Sequence, residues 1–248
     1  MYNPFTLKGK TILVTGASSG IGRATAVECS RMGALVIAHG RDAARLDETM
    51  SMLEGTGHVS ICADLTDEEQ VRHLTGGLRP VDGLVHCAGM SALKPIQFLK
   101  DSELHGIFAT NTFSAMMLQK HLLKKKKLNS GASVVLVSSI SGNANTAVGL
   151  SAYGASKAAL DAFARYAALE LAQYKIRVNT ILPGRVTTQL LSTVALDDKT
   201  LQADIEKYPM RRYGTPEEIA QSAVYLLSDA ARWITGTGII IDGGRSLI

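Results

Sequence analysis

The feature that most constrains the fold of this chain is a regular alternation of two kinds of segment. Short runs rich in β-branched residues alternate with longer runs of helical spacing, which is typical of βα units and a parallel sheet covered by helices. Strands are predicted at 11–14, 35–38, 58–61, 83–86, 133–137, 176–180 and 238–241. Helices are predicted at 20–32, 42–54, 67–75, 101–126, 151–173 and 215–228, with N-caps at Asp42, Thr66 and Thr215. The pattern predicts a single α/β domain over residues 1–248, a doubly wound, seven-stranded, mostly parallel sheet with helices on both faces.

The composition excludes several classes of protein. Of the 248 residues, 46% are apolar and 19% charged, and the net charge of +4 comes with no basic patch interleaved with aromatic residues. We therefore expect no nucleic-acid partner. No signal peptide opens the sequence, and no run reaches the roughly 18 apolar residues of a membrane span, so we expect no membrane association.

The cysteines and histidines indicate a reduced compartment and no metal. Cys29, Cys62 and Cys87 stand in apolar segments without C-x-x-C spacing, which indicates core thiols. With no leader sequence, this predicts a cytoplasmic protein. The six histidines are scattered, and no Cys/His ligand spacing is present, so no metal site is predicted.

A glycine-rich turn with the spacing G-x-x-x-G-x-G joins the first predicted strand to the first predicted helix. Glycines let a pyrophosphate approach the backbone, and the helix N-terminus offers N–H groups and a positive dipole. The turn predicts a Rossmann-type dinucleotide site; a turn that serves only helix packing is the alternative. The predicted contacts are Gly16, Ser18, Ser19, Gly20, Ile21 and Gly22.

The same turn also fits the G-x-S-x-G pattern of a hydrolase nucleophile elbow. That triad requires an acid and then a histidine later in the chain, and no histidine occurs after His121. Chain order therefore disfavours hydrolase chemistry.

The end of the second predicted strand indicates which dinucleotide binds. An NAD site usually places an acid there for the ribose 2′-hydroxyl, but this chain has Arg41. A guanidinium offers charge and planar donor geometry to a 2′-phosphate, so NADP(H) is the predicted cofactor.

A second group of polar residues predicts acid/base chemistry. Tyr153 and Lys157 are four residues apart and share a face of a predicted helix, and Ser138 and Ser139 end the fifth predicted strand. An ammonium beside a tyrosine favours its phenolate, and a serine hydroxyl can bind a reacting oxygen. A tyrosine, a lysine and one of these serines together resemble a site that interconverts carbonyl and alcohol. The spacing Y-x-x-x-K alone also fits a pair of solvated side chains on a helix.

Several landmarks in order resemble the short-chain dehydrogenase/reductase family over essentially the whole chain. These landmarks are 15–22, Asp64-Leu65, Cys87-Ala88-Gly89, Asn111, Ser139, 153–157, Pro183-Gly184 and Asp242-Gly243-Gly244. The resemblance implies hydride transfer between NADP(H) and a carbonyl carbon.

The resemblance also implies a role for each matching residue. Tyr153 would be the general acid, Ser139 would orient the carbonyl oxygen, and Lys157 would lower the pKa of Tyr153 and bind the nicotinamide ribose. Asn111 would hold the water of a proton relay. The remaining cofactor contacts implied are Asp64, Leu65, Ala88, Gly89, Pro183, Gly184, Val186 and Thr188.

The match to the family leaves a choice between serines at one position and shows a departure from the family pattern at another. Ser139 lies 14 residues before Tyr153 and is preferred to Ser138, with Ser141 a weaker candidate. Where many members have two asparagines, this chain has His86 and Cys87. The contacts of those asparagines therefore cannot be transferred, and His86 is predicted to be structural.

The substrate expected from the resemblance is a 3-oxoacyl thioester on an acyl carrier protein. The cations of 124–127 could attract an acidic carrier, whereas Tyr174 stands where such reductases often have a docking arginine. The alternatives are a dehydrogenase of a sugar, polyol, hydroxysteroid or other small alcohol, and a non-catalytic NADP-sensing protein.

Two larger features complete the sequence predictions. Residues 187–213 are predicted to be a substrate lid, with an ordinary pair of surface helices as the alternative. The resemblance implies a homotetramer that pairs the predicted helices 101–126 and 151–173.

Overall fold

The computed structural model describes residues 2–188 and 198–248. Within them, seven parallel strands form one sheet in the order β3-β2-β1-β4-β5-β6-β7, as predicted. The strands are β1 Thr11–Thr15, β2 Leu35–Gly40, β3 Val59–Cys62, β4 Val81–His86, β5 Leu128–Val137, β6 Arg177–Pro183 and β7 Gly238–Ile241. The order reverses between β1 and β4, so a crevice opens there at the carboxyl ends of the strands.

Helices cover both faces of the sheet. The α-helices of the described residues are α1 Gly20–Arg31, α2 Ala43–Ser51, α3 Glu68–Gly77, α4 Asp101–Phe108, α5 Ser114–Lys124, α6 Ser151–Leu171, α7 Asp198–Ile205 and α8 Pro216–Leu227. One buried apolar cluster joins the sheet to α1, α2 and α8, and a second joins it to α3, α5 and α6. These two cores fix the helices that begin at the crevice.

The long helix predicted at 101–126 is interrupted in the structure. A π-helical segment, Ala109–Phe113, separates α4 from α5 and contains Asn111, which is fully buried. The hydroxyl of Ser114 donates to the carbonyl of Thr110 at 2.6 Å, which helps to satisfy the backbone at this irregularity. Single π turns of this kind are frequent at functional sites.

Two of the three predicted N-caps are confirmed. The carboxylate of Asp42 accepts from the N–H of Arg45, and Thr215 forms a capping box with Glu218. The prediction for Thr66 is wrong, because Asp67 caps α3 and the Thr66 hydroxyl donates to Asp64 instead.

Replacement of Thr215 by alanine is expected to lower the free energy of unfolding by about 1 kcal/mol, because the first turn of α8 loses a capping bond. Urea unfolding measures the change. Ser222→Ala is the matched control, since Ser222 lies inside the same helix and its loss should stay within about 0.5 kcal/mol. Equal effects of the two substitutions would contradict a capping role.

The cysteines differ from the prediction of three core thiols. Cys29 is buried, and burial raises its pKa. Cys87 is partly buried, and burial raises its pKa to about 12. Cys62, however, is exposed, because it ends the edge strand β3, and its thiol lies 3.2 Å from the carbonyl of Arg41.

Cys62 is therefore expected to be the fastest of the three cysteines to react with a thiol reagent in the folded protein. Mass spectrometry after brief iodoacetamide treatment should find the label on Cys62, and Cys62→Ser should remove most of it. Rapid labelling of Cys29 would show that the α1 core opens readily.

The structure describes part of the predicted lid and all of the lysine run at 124–127. The part of the predicted lid at 189–197 lies outside the described residues, and 198–213 contains α7 followed by a loop. The 124–127 lysine run lies at the amino end of β5, where Lys125 and Lys127 donate to the carbonyls of Arg72 and Leu78 beside α3.

No helix within residues 2–188 and 198–248 is long and apolar enough to cross a membrane. Over the same residues, no cluster of three His, Cys, Asp or Glu side chains could hold a metal ion.

Candidate active site

A cavity of about 840 Å³ opens at the carboxyl ends of β1, β2 and β4. Twelve predicted cofactor residues line it, namely Gly16, Ser18, Ser19, Gly20, Ile21, Gly22, Arg41, Asp64, Leu65, Ala88, Gly89 and Thr188. Its volume lies in the range of sites that enclose a whole ligand. The structure thus gathers residues from distant parts of the sequence around one cavity.

The glycine turn brings the backbone close to this cavity. A Cβ on Gly22 would lie 2.1 Å from the carbonyl oxygen of Gly16, so any side chain there would force the turn apart. Ser19, the N-cap of α1, makes no side-chain capping bond, and the first turn holds no acid. This helix N-terminus keeps its N–H groups and positive dipole for an anion.

Cations lie at the other end of the cavity. Arg41 is exposed, and its guanidinium lies 3.9 Å from the carboxylate of Asp64. Partial burial raises the pKa of Asp64, but hydrogen bonds from Thr66 and the charge of Arg41 bring that pKa below its usual value. Arg45 lines the cavity as well, so this donor set fits a dinucleotide with a phosphate on its adenine ribose.

The four predicted catalytic residues lie beside the cavity rather than in its lining, and Gly89 joins the two regions. A Cβ on Gly89 would lie 3.4 Å from Nζ of Lys157 and 3.3 Å from Oδ1 of Asn111. Nζ of Lys157 donates to the carbonyl of Val137 at 2.8 Å and lies 5.9 Å from the ring centre of Tyr153.

The side chain of Asn111 is held on three sides. Its Oδ1 accepts from the N–H of Met90 at 2.7 Å, and its Nδ2 donates to the carbonyl of Met90 and to the hydroxyl of Ser156, both at 2.9 Å. Asn111 therefore connects the loop after β4 to α6, which contains Tyr153 and Lys157.

Burial is the largest influence on the pKa values of both Tyr153 and Lys157 on α6. Burial raises the pKa of Tyr153, and a hydrogen bond with Ser139 only partly offsets this effect. Burial lowers the pKa of Lys157 to about 8, and the nearby carboxylate of Asp161 offsets this effect only in part. Lys157 is not among the causes of the shift in the pKa of Tyr153, and its ammonium donates to the carbonyl of Val137. The effect of Lys157 on that pKa stays a prediction.

The two adjacent serines face different partners. Ser139 lies close enough to Tyr153 to lower the pKa of its phenol, and the Ser139 oxygen accepts from the N–H of Ser141 at 3.1 Å. Ser138 instead donates to the carbonyl of Lys157 at 3.2 Å, away from the phenol. Of the two serines, Ser139 is therefore the one that lies beside the phenol of Tyr153.

Besides Asn111, Tyr153 and Lys157, three further predicted cofactor residues do not line the cavity. Pro183 is the last residue of β6, and the N–H of Gly184, which follows it, donates to the carbonyl of Ile241. Val186 is buried in a short bridge with Gly214. Thr188 does reach the cavity, where its methyl group lies 3.2 Å from the Cβ position of Gly20.

Sequence reasoning missed several lining residues. They are His39, Gly40, Asp42, Arg45, Thr66, Cys87, Thr110 and Ser114. The position of Arg45 four residues after Arg41 was a usable signal, since α2 begins between them. Thr110 and Ser114 were not predictable, because their orientation depends on the π-helical segment.

Comparison with known proteins decides the family. The family model adh_short_C2, described as Enoyl-(Acyl carrier protein) reductase, matches residues 16–246. The chain belongs to the short-chain dehydrogenase/reductase family. It is an oxidoreductase of that family, which replaces the alternatives of a hydrolase and of a non-catalytic sensor.

Relatives of this short-chain dehydrogenase/reductase span its whole length. A rhamnolipids biosynthesis 3-oxoacyl-[acyl-carrier-protein] reductase from Pseudomonas aeruginosa is 35% identical, with 100% of each chain covered. A tropinone reductase homolog from Arabidopsis thaliana is 35% identical over 98% of this chain and 92% of its own. The Pseudomonas aeruginosa RhlG/NADP active-site complex superposes with a TM-score of 0.91 at 34% identity, over 99% and 100% of the two chains.

Proposed function

We propose that this protein is an NADP(H)-dependent carbonyl reductase that acts on 3-oxoacyl thioesters. The observation that carries the reaction type is the phenol of Tyr153, which lies with Ser139 and Lys157 beside the cavity that Arg41 and Arg45 line. A proton donor is thus next to an anion-binding site for a cofactor. The RhlG/NADP complex supports the choice of cofactor.

This chain's residues have distinct parts in holding NADP(H). The N-terminus of α1 and its glycine turn bind the pyrophosphate, Arg41 and Arg45 bind the 2′-phosphate, and Asp64 borders the adenine. When bound, the nicotinamide supplies the hydride that a carbonyl carbon accepts. Val186 and Thr188 stay predicted contacts of its carboxamide.

Tyr153 and Ser139 act on the carbonyl oxygen. Because burial raises the pKa of Tyr153, its phenol keeps its proton at neutral pH, which is the state a general acid needs. Ser139 donates a hydrogen bond to the same oxygen and orients it toward the phenol.

Lys157 and Asn111 support this chemistry from the interior. The Lys157 ammonium binds the nicotinamide ribose, and Asn111, fixed between Met90 and Ser156, holds the water through which Tyr153 regains its proton. Both residues are nearly fully buried, so bulk water does not compete for their contacts.

Reduction is expected to slow as pH rises through about 8, because Lys157 then loses the proton that gives its ammonium a charge. Below that pH the lysine is charged and the rate should be level. Lys157→Arg is the matched control, since a guanidinium stays charged and should remove the alkaline decline even if turnover is lower. A decline that persists unchanged in the arginine variant would rule out Lys157 as its source.

Apolar side chains on two loops near the start of α6 support the proposed substrate class. The loop after β4 and the loop before α6 meet where the N–H of Lys94 donates to the carbonyl of Gly149 at 2.8 Å. These loops expose the large apolar side chains of Met90, Leu93 and Val148. Apolar groups suit an acyl chain better than a polyol, and the Pseudomonas reductase supports this choice.

An acyl carrier protein is the proposed donor of that thioester, but the 124–127 run is not where it docks. Val81, at the start of β4, donates to the carbonyl of Lys127, so the run lies at the amino edge of the sheet. The site lies beyond His86 at the carboxyl edge, about 17 Å away along β4. A carrier bound at the run would approach the wrong edge of the same subunit.

A chain-length series tests the substrate class. With 3-oxoacyl thioesters of increasing length, kcat/KM should rise with length, and Leu93→Gln should reduce that rise. Val59→Gln is the control, because Val59 is a similarly exposed apolar residue on the edge strand β3. The tropinone reductase homolog favours a small ketone as second candidate, and faster reduction of small ketones than of any thioester would establish it.

The assembly and location complete the proposal. We propose a homotetramer, because α5, α6 and the segment before them expose Phe113, Met116, Tyr166 and Leu169. A cytoplasmic location stays a prediction from the reduced cysteines.

A further inference from the structure

His86 is the residue at which this chain departs from the asparagine of many relatives. It ends β4 and is nearly fully buried. In the sheet register, Thr15 lies between His86 on one side and His39 on the other. All three residues stand at the carboxyl ends of their strands, directly beneath the cavity.

Both ring nitrogens of His86 have partners. Nδ1 lies 3.1 Å from the hydroxyl oxygen of Thr15, and Nε2 lies 3.2 Å from the hydroxyl oxygen of Ser114. The Thr15 oxygen also accepts from the N–H of Ala88 at 3.3 Å, and Ser114 donates to the carbonyl of Thr110 at 2.6 Å. The contacts form one continuous chain from Ala88 to Thr110.

The direction of the hydrogen bonds follows from the two ends of the chain. Since Ser114 gives its proton to a carbonyl, its oxygen accepts from Nε2–H of His86. Nδ1 then accepts the proton of Thr15, whose oxygen in turn accepts from Ala88. Burial, with the nearby charge of Lys157, lowers the pKa of His86 to about 3, so the ring is neutral.

The two ends of the chain belong to different parts of the active site. Ala88 belongs to the cofactor cavity and precedes Gly89, which lies against Lys157 and Asn111. Thr110 and Ser114 also line the cavity, and they bracket Asn111 in the π-helical segment. The imidazole therefore spans the space between the backbone under the cofactor and the segment that presents Asn111.

We propose that His86, as a neutral imidazole with its proton on Nε2, is a positioning residue that sets Asn111 relative to the Ala88–Gly89 backbone. This inference rests on the proposed function, in which Asn111 serves the proton relay. A buried hydrogen-bond chain with every member satisfied specifies one arrangement. Loss of the ring nitrogens removes one hydrogen bond from each of the hydroxyls of Thr15 and Ser114 and breaks the chain in its middle, so we expect the π-helical segment to shift.

The kinetic test uses His86→Phe, Ser114→Ala and the double variant. We expect His86→Phe to lower kcat by roughly 10- to 100-fold with little change in substrate KM, because the groups moved act on proton transfer. The double variant should be no slower than His86→Phe alone, because both changes break the same chain. His121→Phe, at another buried histidine on α5, is the control for lost stability alone.

Two spectroscopic measurements test the positioning without turnover. Nitrogen-15 NMR of the imidazole should show the proton on Nε2 and no titration between about pH 5 and pH 8. The side-chain amide signals of Asn111 should move in His86→Phe and Ser114→Ala but not in His121→Phe.

The outcomes separate this inference from the proposed function. If wild-type protein reduces thioesters but His86→Phe shows only the melting-temperature loss of His121→Phe, His86 is structural and the inference fails. A proton on Nδ1, or unmoved Asn111 signals, overturns it as well. If wild-type protein reduces no carbonyl while the NMR results are as expected, the proposed function fails and the hydrogen-bond chain stands.

Discussion

Replacement of Tyr153 by phenylalanine is expected to lower kcat for carbonyl reduction by roughly 10²- to 10⁴-fold, the usual contribution of a positioned general acid. The ring would still fill its place at the start of α6, so only the phenolic proton and the hydrogen bond with Ser139 are lost. Stopped-flow or steady-state loss of NADPH absorbance measures the rate.

The control for this variant is Tyr2→Phe. Tyr2 is 83% exposed and lies outside the site and the proposed subunit interface, so removal of its hydroxyl should leave turnover unchanged. NADPH binding, followed by fluorescence, should be similar in both variants and in wild-type protein. A Tyr153→Phe enzyme that retains most of its activity would assign the proton donor to another residue.

Replacement of Arg41 by aspartate is expected to lower the ratio of NADPH to NADH affinity by about 10- to 100-fold. A hydrogen bond to a charged group contributes about 1.5 to 3 kcal/mol, and the new carboxylate repels a 2′-phosphate while it accepts from a 2′-hydroxyl. Binding titrations with both cofactors measure the ratio, and it should fall further when Arg45 is replaced as well.

Arg79→Asp is the matched control for charge. Arg79 is exposed just before β4, at the edge of the sheet away from the cavity, so the same charge reversal there should leave the affinity ratio unchanged. If the ratio is the same in Arg41→Asp and in wild-type protein, the choice of NADP(H) does not depend on this arginine.

Much of the fold could be predicted from residue patterns because the relevant signals are local. All seven strands were located, since β-branched runs in a parallel sheet are short and buried on both faces. The caps of Asp42 and Thr215 were readable for the same reason. The N-cap predicted at Thr66 was wrong because two adjacent polar residues compete for this position. The carboxylate of Asp67 accepts from two N–H groups, and Asp67 is therefore the N-cap.

The parts of the site that were missed depend on contacts between distant residues. The glycine turn, Arg41 and the pair of Tyr153 and Lys157 have recognisable spacing. The protonation state of Tyr153 and Lys157 cannot be predicted from their spacing, because it depends on burial and on the Val137 carbonyl that Lys157 binds. The partners of His86 come from β1 and from the start of α5, which no local pattern brings together.

The measurement that tests the account most directly is the consumption of NADPH and of NADH with an acetoacetyl thioester on acyl carrier protein. We expect turnover with NADPH, much slower turnover with NADH, and loss of both in Tyr153→Phe. Tight NADPH binding with no turnover of this thioester, together with rapid reduction of a small ketone or sugar, would contradict a 3-oxoacyl reductase. Turnover that survives in Tyr153→Phe would contradict the mechanism itself.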